Sequence, residues 1–101
     1  MVLGHERCGA VTAAVNAKGK PEGNIGAIVK AIEPSAKKAK QLCKGKTTEE
    51  IVECAVGLNA RAVAADLTRK SKVLAEMLKE GKIKIVAAKY DLDDGKVTLL
   101  Q

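Results

Sequence analysis

The sequence predicts an α/β fold, a partial sheet of parallel strands with a terminal hairpin and several helices around it. Three features carry this expectation. The chain opens on a short apolar strand, Val2 and Leu3, that runs into Gly4. Its middle carries apolar residues at helical spacing, and its last third holds the unbroken run Ile83, Ile85, Val86, Ala87 and Ala88 before an Asp-rich turn. At 101 residues there is room for one unit and no more. Three short strands give too little sheet for such wide helix faces, so residues 1–101 are expected to form one partial domain of a larger sheet.

Taken in order, Gly4 allows a tight turn into His5-Glu6-Arg7-Cys8-Gly9 after the strand. Val11, Ala14 and Val15 then share one face of a helix from Gly9 to about Ala17, which Lys18-Gly19-Lys20-Pro21-Glu22-Gly23 should break. Asn24 is a suitable cap for the next helix, whose Ile25, Ile28, Val29 and Ile32 recur until Pro34 interrupts the hydrogen-bond ladder. Ser35 to Leu42 reads as a further basic, exposed helical segment. After Gly45, Thr47 or Thr48 caps a long helix with Glu49 and Glu50 at its positive end, running to about Arg69. Ile51, Ala55, Leu58 and Ala62 form one apolar stripe on it, and Val52, Val56, Val63 and Leu67 form the next. Ser71 caps a shorter helix that Gly81 should end. Lys82 to Tyr90 reads as a strand covered on both faces, and Asp91-Leu92-Asp93-Asp94-Gly95 turns it into Lys96 to Leu100.

Composition narrows the function classes. With 47% hydrophobic and 30% charged residues, the chain has enough aliphatic surface to fold as a globular protein. Tyr90 is the single aromatic residue, so the core must be thin and aliphatic. No segment approaches the ~20 apolar residues of a membrane span, and the opening residues lack the basic head and apolar run of a secretory signal. A membrane partner is therefore not expected, and a cytoplasmic location is. Cys8, Cys43 and Cys54 form an odd set without the spacing of a disulfide scaffold, which suits a reducing compartment. The net charge of +6 would suit an anionic partner, but the lysines are scattered and no aromatic platform or reading motif accompanies them. Nucleic acid is thus an unlikely partner on this pattern.

The residues with most chemical promise are His5 and Cys8. Imidazole nitrogen and thiolate sulfur are both zinc ligands, and a turn at a strand end can aim two side chains three positions apart at one point. A helix amino terminus also favours an anionic sulfur. Glu6 and Arg7, between them, are expected to face solvent or another subunit. Asn59 should serve a structural role, Tyr90 should close the last long strand, and Asp93 with Asp94 reads as turn chemistry rather than an acid/base pair. Cys43 and Cys54 read as idle thiols. No catalytic residue other than the metal ligands is singled out.

The string Val2-Leu3-Gly4-His5-Glu6-Arg7-Cys8-Gly9-Ala10-Val11 closely resembles the second zinc-ligand motif of the β-class carbonic anhydrases. Gly81 to Val97, with Tyr90-Asp91-Leu92 and Gly95, resembles the family's closing strand and hairpin, and Asn59 to Leu74 resembles the helices before it. The likeness spans the whole chain but only the carboxy-terminal half of the family's domain. It implies a Zn2+ ion held by one His and two Cys, with His5 and Cys8 matching two of these ligands, and reversible hydration of CO2 to bicarbonate as the reaction. The family's first Cys lies in a Cys-x-Asp-Ser-Arg segment that also carries an Asp–Arg dyad, and these 101 residues contain no such segment. The resemblance therefore implies an incomplete or inactive fragment, one that needs a homo-oligomer or a complementary chain. The alternative is a non-catalytic oligomerisation module derived from the same fold.

Overall fold

The computed structural model describes residues 1–17 and 21–100, in the order β1 (Val2–His5), α1 (Gly9–Asn16), α2 (Gly23–Leu42), α3 (Thr48–Lys70), α4 (Lys72–Lys79), β2 (Ala87–Tyr90) and β3 (Val97–Leu100). The sheet runs β1-β2-β3, with β1 parallel to β2 and β2 antiparallel to β3. Val2 lies opposite Ala87 and His5 opposite Tyr90, while Tyr90 also faces Val97 across the hairpin. The α/β class, the parallel pair and the closing hairpin therefore match the expectation. Of the segment expected to break the first two helices, Lys18, Gly19 and Lys20 lie outside the described residues.

The core sits where α1, α2 and α3 meet. Val11, Ala14 and Val15 pack with Val29, Ile32, Ala36 and Ala39 and with Val52, Ala55 and Val56. Ala88 and Ala87 on β2 are also buried. Val56 is the largest fully buried side chain, so the interior is as thin as a chain without Phe or Trp requires. Small residues let the helices approach closely, at the cost of little area buried per residue.

Several elements differ from the sequence reading. Pro34 lies inside one continuous helix instead of dividing two. Its ring removes one ladder bond, but Lys30 and Pro34 are both on the solvent side, where water can serve the orphaned carbonyl. The buried stripe Val29, Ile32, Ser35, Ala36 and Ala39 passes beneath it without a break. Consequently the basic segment after Pro34 is helical but only half exposed, and Ile25 and Ile28 on the same helix stay in solvent. Its amino-terminal cap is Glu22, not Asn24. The strand expected from Lys82 is formed only over Ala87–Tyr90, because the parallel ladder begins where Val2 N–H reaches the carbonyl of Val86 at 2.8 Å. Upstream of that point the run pairs with no strand among the described residues.

Helix ends follow their sequence signals closely. Thr47 Oγ1 accepts from the N–H of Glu50 at 3.2 Å, and Ser71 caps α4 by accepting from Leu74 N–H at 3.2 Å. Gly81, at φ +73°, ends α4 as expected. Its N–H donates to Leu78 O at 3.1 Å, and the N–H of Lys82 donates to Met77 O at 2.9 Å. This paired closure needs a left-handed residue after the helix.

Candidate metal centre

His5 is the last residue of β1, at the carboxyl end of a parallel pair, the edge at which α/β sheets place their ligands. The pairing continues one step further, with Glu6 N–H donating to Tyr90 O at 3.1 Å. The chain then reverses at Arg7, whose φ of +51° is the only left-handed value at a non-glycine among the described residues. Such a conformation costs about 1–2 kcal/mol for an L-residue, so neighbouring contacts must hold it. Cys8 follows in extended geometry as the residue before α1, and its carbonyl accepts from Thr12 N–H at 2.9 Å and Thr12 Oγ1 at 2.8 Å. Its sulfur makes no capping bond. Gly4 is not the turn residue that the sequence suggested. It sits inside β1, and its missing side chain is needed because a Cβ there would come within 2.9 Å of Val56 Cγ1 on α3.

His5 and Cys8 both line one groove of about 160 Å3, whose other walls include Leu3, Val11, Asn59 and Val63. His5 is exposed and Cys8 is half-buried. Nδ1 of His5 lies 2.9 Å from the carbonyl oxygen of Glu6. Because a carbonyl can only accept, in the neutral ring this bond puts the proton on Nδ1 and the lone pair on Nε2, the arrangement common to metal-binding imidazoles.

Of the two residues between them, Glu6 turns to the chain's own hairpin, its side chain 15% exposed, while Arg7 stays in solvent as expected, at 58%, and reaches the same hairpin with its guanidinium. Glu6 Oε1 accepts from Leu92 N–H at 2.6 Å and Asp93 N–H at 3.2 Å. The Arg7 guanidinium grips both carboxylate oxygens of Asp93, at 3.1 and 3.3 Å. Loss of water pushes the Glu6 carboxyl above its ordinary range, with the Leu92 N–H pulling the other way. Asp91 is held below its ordinary range chiefly by the N–H of Asp93, which it accepts at 2.8 Å. Asp94 accepts from Lys96 N–H at 2.8 Å, so the Asp-rich segment is turn chemistry, as expected. Glu6, Asp91 and Asp93 do bring carboxylate oxygens together, yet each is already engaged by backbone N–H groups or by Arg7.

One residue escaped the sequence reading. Glu53, on the second turn of α3, accepts from Arg7 N–H through Oε1 at 2.9 Å and pairs through Oε2 with Lys89 Nζ at 3.2 Å. Nothing in its own neighbourhood announces this, since its partners lie 46 and 36 positions away. Cys43 and Cys54 do not line the groove; burial pushes the Cys54 thiol up to about 11, helped by the neighbouring thiol of Cys43.

The sequence profile of the carbonic anhydrase family matches residues 1–97. The chain belongs to the β-class carbonic anhydrase family. Carbonic anhydrase 2 of Mycobacterium tuberculosis is 30% identical over 102 aligned residues, covering 98% of this chain and 47% of that protein. Among solved structures, the β-carbonic anhydrase CafA of Aspergillus fumigatus superposes with a TM-score of 0.82 at 26% identity, covering 98% of this chain and 46% of the other. The Coccomyxa β-carbonic anhydrase, solved in complex with acetazolamide, gives a TM-score of 0.85 at 21% identity and shares the fold over 98% of this chain and 45% of its own. The chain thus spans about half the length of the curated relatives it matches.

Within a β-carbonic anhydrase, the donor chemistry of this groove fits zinc as far as it goes. It offers one imidazole nitrogen with a free lone pair and one sulfur without a competing bond, short of the three protein ligands that catalytic zinc sites use. Among the described residues, no cluster of three potential ligand side chains includes His5 or Cys8. No helix among the described residues is long and apolar enough to cross a membrane.

Proposed function

We propose that this chain contributes the His–Cys half of a carbonic anhydrase zinc centre, with His5 Nε2 and Cys8 Sγ as ligands, in service of reversible CO2 hydration to bicarbonate. The observation that carries the reading is the pairing of His5, its Nδ1 committed to Glu6 O at 2.9 Å, with Cys8 on the same groove at the end of a parallel strand. Zinc, when bound, lowers the pKa of water from about 15.7 to about 7 and so supplies a nucleophile for CO2 at neutral pH. The chain's own residues hold the imidazole in the ligating tautomer and keep the sulfur free of backbone bonds. They also line the approach with apolar Leu3, Val11 and Val63, which suits an uncharged substrate.

The second thiolate and the Asp–Arg dyad of the family, both in its Cys-x-Asp-Ser-Arg segment, have no counterpart in these 101 residues. We assign them to a strand that pairs along the open edge of β1, supplied by the other half of the family's domain or by a complementary chain, making residues 1–101 one partial domain of the assembled unit. Exposed Met1, Leu3 and Val63 beside that edge favour such a covering. The three free cysteines suit a reducing, cytoplasmic setting. A second reading, a non-catalytic module that self-associates, is favoured by the exposure of Ile25 and Ile28 on α2, at 62% and 51%. It predicts a stable homo-oligomer without metal.

Zinc titration against a competing chelator, with stopped-flow CO2 hydration, tests both. The isolated chain should take zinc weakly through His5 and Cys8 and be nearly inactive, and a polypeptide carrying a Cys-x-Asp-Ser-Arg strand should raise both. Tight stoichiometric zinc with full hydration activity from the chain alone would overturn the need for a partner. Zinc uptake indifferent to Cys8→Ala would overturn the ligand assignment, and light scattering that finds a metal-free oligomer would favour the second reading.

A further inference from the structure

We infer that Glu53 is the positioning residue of the metal loop, a carboxylate on α3 that holds the Arg7 peptide so that His5 and Cys8 face one groove. The inference rests on the zinc reading above and extends it to a residue outside the ligand motif.

The geometry concentrates the reversal of the loop in two residues. His5 is in a strand and Cys8 is extended at φ −62° and ψ 122°, so the turn that sets both on one groove must be made at Glu6 and Arg7. Arg7 makes it by adopting φ +51° without the freedom of glycine. A residue in that conformation relaxes to the ordinary region unless its peptide is held, and relaxation here would rotate Cys8 away from His5. The bond that holds it is Arg7 N–H to Glu53 Oε1, at 2.9 Å. Glu53 cannot swing away freely, because Lys89 on β2 holds its second oxygen at 3.2 Å. Helix, loop and central strand are therefore tied at one carboxylate, whose side chain is only 32% exposed. The other contacts of the loop, Tyr90 O to the Glu6 backbone, the Glu6 carboxylate to the hairpin turn and Arg7 to Asp93, leave the Arg7 N–H untouched.

The test compares Glu53→Ala, Glu53→Gln, Lys89→Met and Cys8→Ala in the 101-residue chain. It reads zinc affinity by chelator competition, the visible spectrum of the Co2+-substituted chain, and hydrogen exchange of the Arg7 amide without metal. Loss of the carboxylate should accelerate Arg7 exchange, weaken zinc binding about tenfold, the scale of lost outer partners of a metal ligand, and alter the Co2+–thiolate band. Glu53→Gln keeps an acceptor oxygen and should restore most of the affinity, and Lys89→Met, which spares that oxygen but loosens the carboxylate, should lose only a small part of what Glu53→Ala loses. A role confined to the Glu53–Lys89 ion pair predicts the reverse, with Gln as damaging as Ala and Lys89→Met as damaging as either, and that pattern overturns the inference. So does a Glu53→Ala chain that binds zinc like the parent while Cys8→Ala does not. If the parent binds zinc no better than Cys8→Ala, the zinc reading itself has failed and this role falls with it, which separates the two failures.

Discussion

Replacing Gly4 by alanine tests the packing that sets the position of β1, and with it His5. The new Cβ would lie 2.9 Å from Val56 Cγ1, 3.5 Å from Val56 O and 3.6 Å from Ala60 Cβ. Only the first contact is too short, since carbon atoms pack best at about 3.5–4.0 Å, so strand and helix must part by about half an ångström or more. Val56 cannot relieve the clash by rotation, because it is β-branched, in a helix and only 2% exposed. Overpacking of this kind costs about 1–3 kcal/mol, from which about 0.4–1 kcal/mol is regained because alanine narrows the unfolded ensemble. A net loss of about 0.5–2 kcal/mol should appear in urea denaturation followed by circular dichroism. Val56→Ala alone should cost about 1.6 kcal/mol for its two methyl groups, and more if a cavity persists. The double variant decides the matter: the alanine methyl at position 4 fills space that Val56 vacated, so the pair should be about 1 kcal/mol or more less destabilised than the sum of the singles. Additivity within about 0.5 kcal/mol, or a Gly4→Ala chain as stable as the parent, would refute the close approach of β1 to α3.

Other expectations follow from the helix ends and the thiols. Thr47→Ala removes the acceptor of Glu50 N–H and should cost about 1 kcal/mol by denaturation, whereas Thr47→Asp should be nearly neutral. Gly81→Ala forces φ +73° on a residue with a Cβ in otherwise open space, so about 1–2 kcal/mol should be lost through backbone strain alone. Cys54, pushed up to about 11 by burial, should resist alkylation at neutral pH and react only as the pH nears that value. The sign of the linkage follows from the unfolded thiol ionising near its ordinary 9.0, which makes rising pH favour unfolding between about 9 and 11. A Cys54→Ser chain should lose that part of its alkaline sensitivity.

What could be read from the sequence was whatever depends on near neighbours. The Thr47 and Ser71 caps, the Gly81 stop and the turn from Asp91 to Gly95 all came through, because each is completed within a few residues. The strand-to-helix loop with His5 and Cys8 was legible for the same reason, as a Gly-bracketed turn with ligand-type side chains. What failed depended on partners distant in sequence. Pro34 broke no helix, because the buried stripe on its far side is held by α1 and α3. The strand from Lys82 shrank to Ala87–Tyr90 because only those residues find β1 beside them. The role of Gly4 was misread as conformational when it is steric, and the side chain that decides it, Val56, is 52 positions further along the chain.

The contacts of the His5–Cys8 loop explain how the proposed half of a metal centre can be shaped without the other half. Every bond that fixes the loop is made within these residues: Tyr90 O to the Glu6 backbone, Leu92 and Asp93 N–H to the Glu6 carboxylate, Asp93 to Arg7, and Glu53 to the Arg7 peptide. The loop's conformation thus needs no outside ligand to define it. The opposite holds on the far side of β1, where among the described residues the strand pairs only with β2 and Leu3 stands 50% exposed. Unpaired N–H and C=O groups on that edge are a template for another strand. A strand laid there in parallel would end beside His5, which is where a further ligand is required. The two halves of the proposal are therefore one geometric demand: the edge that asks for a strand is the edge that asks for a sulfur.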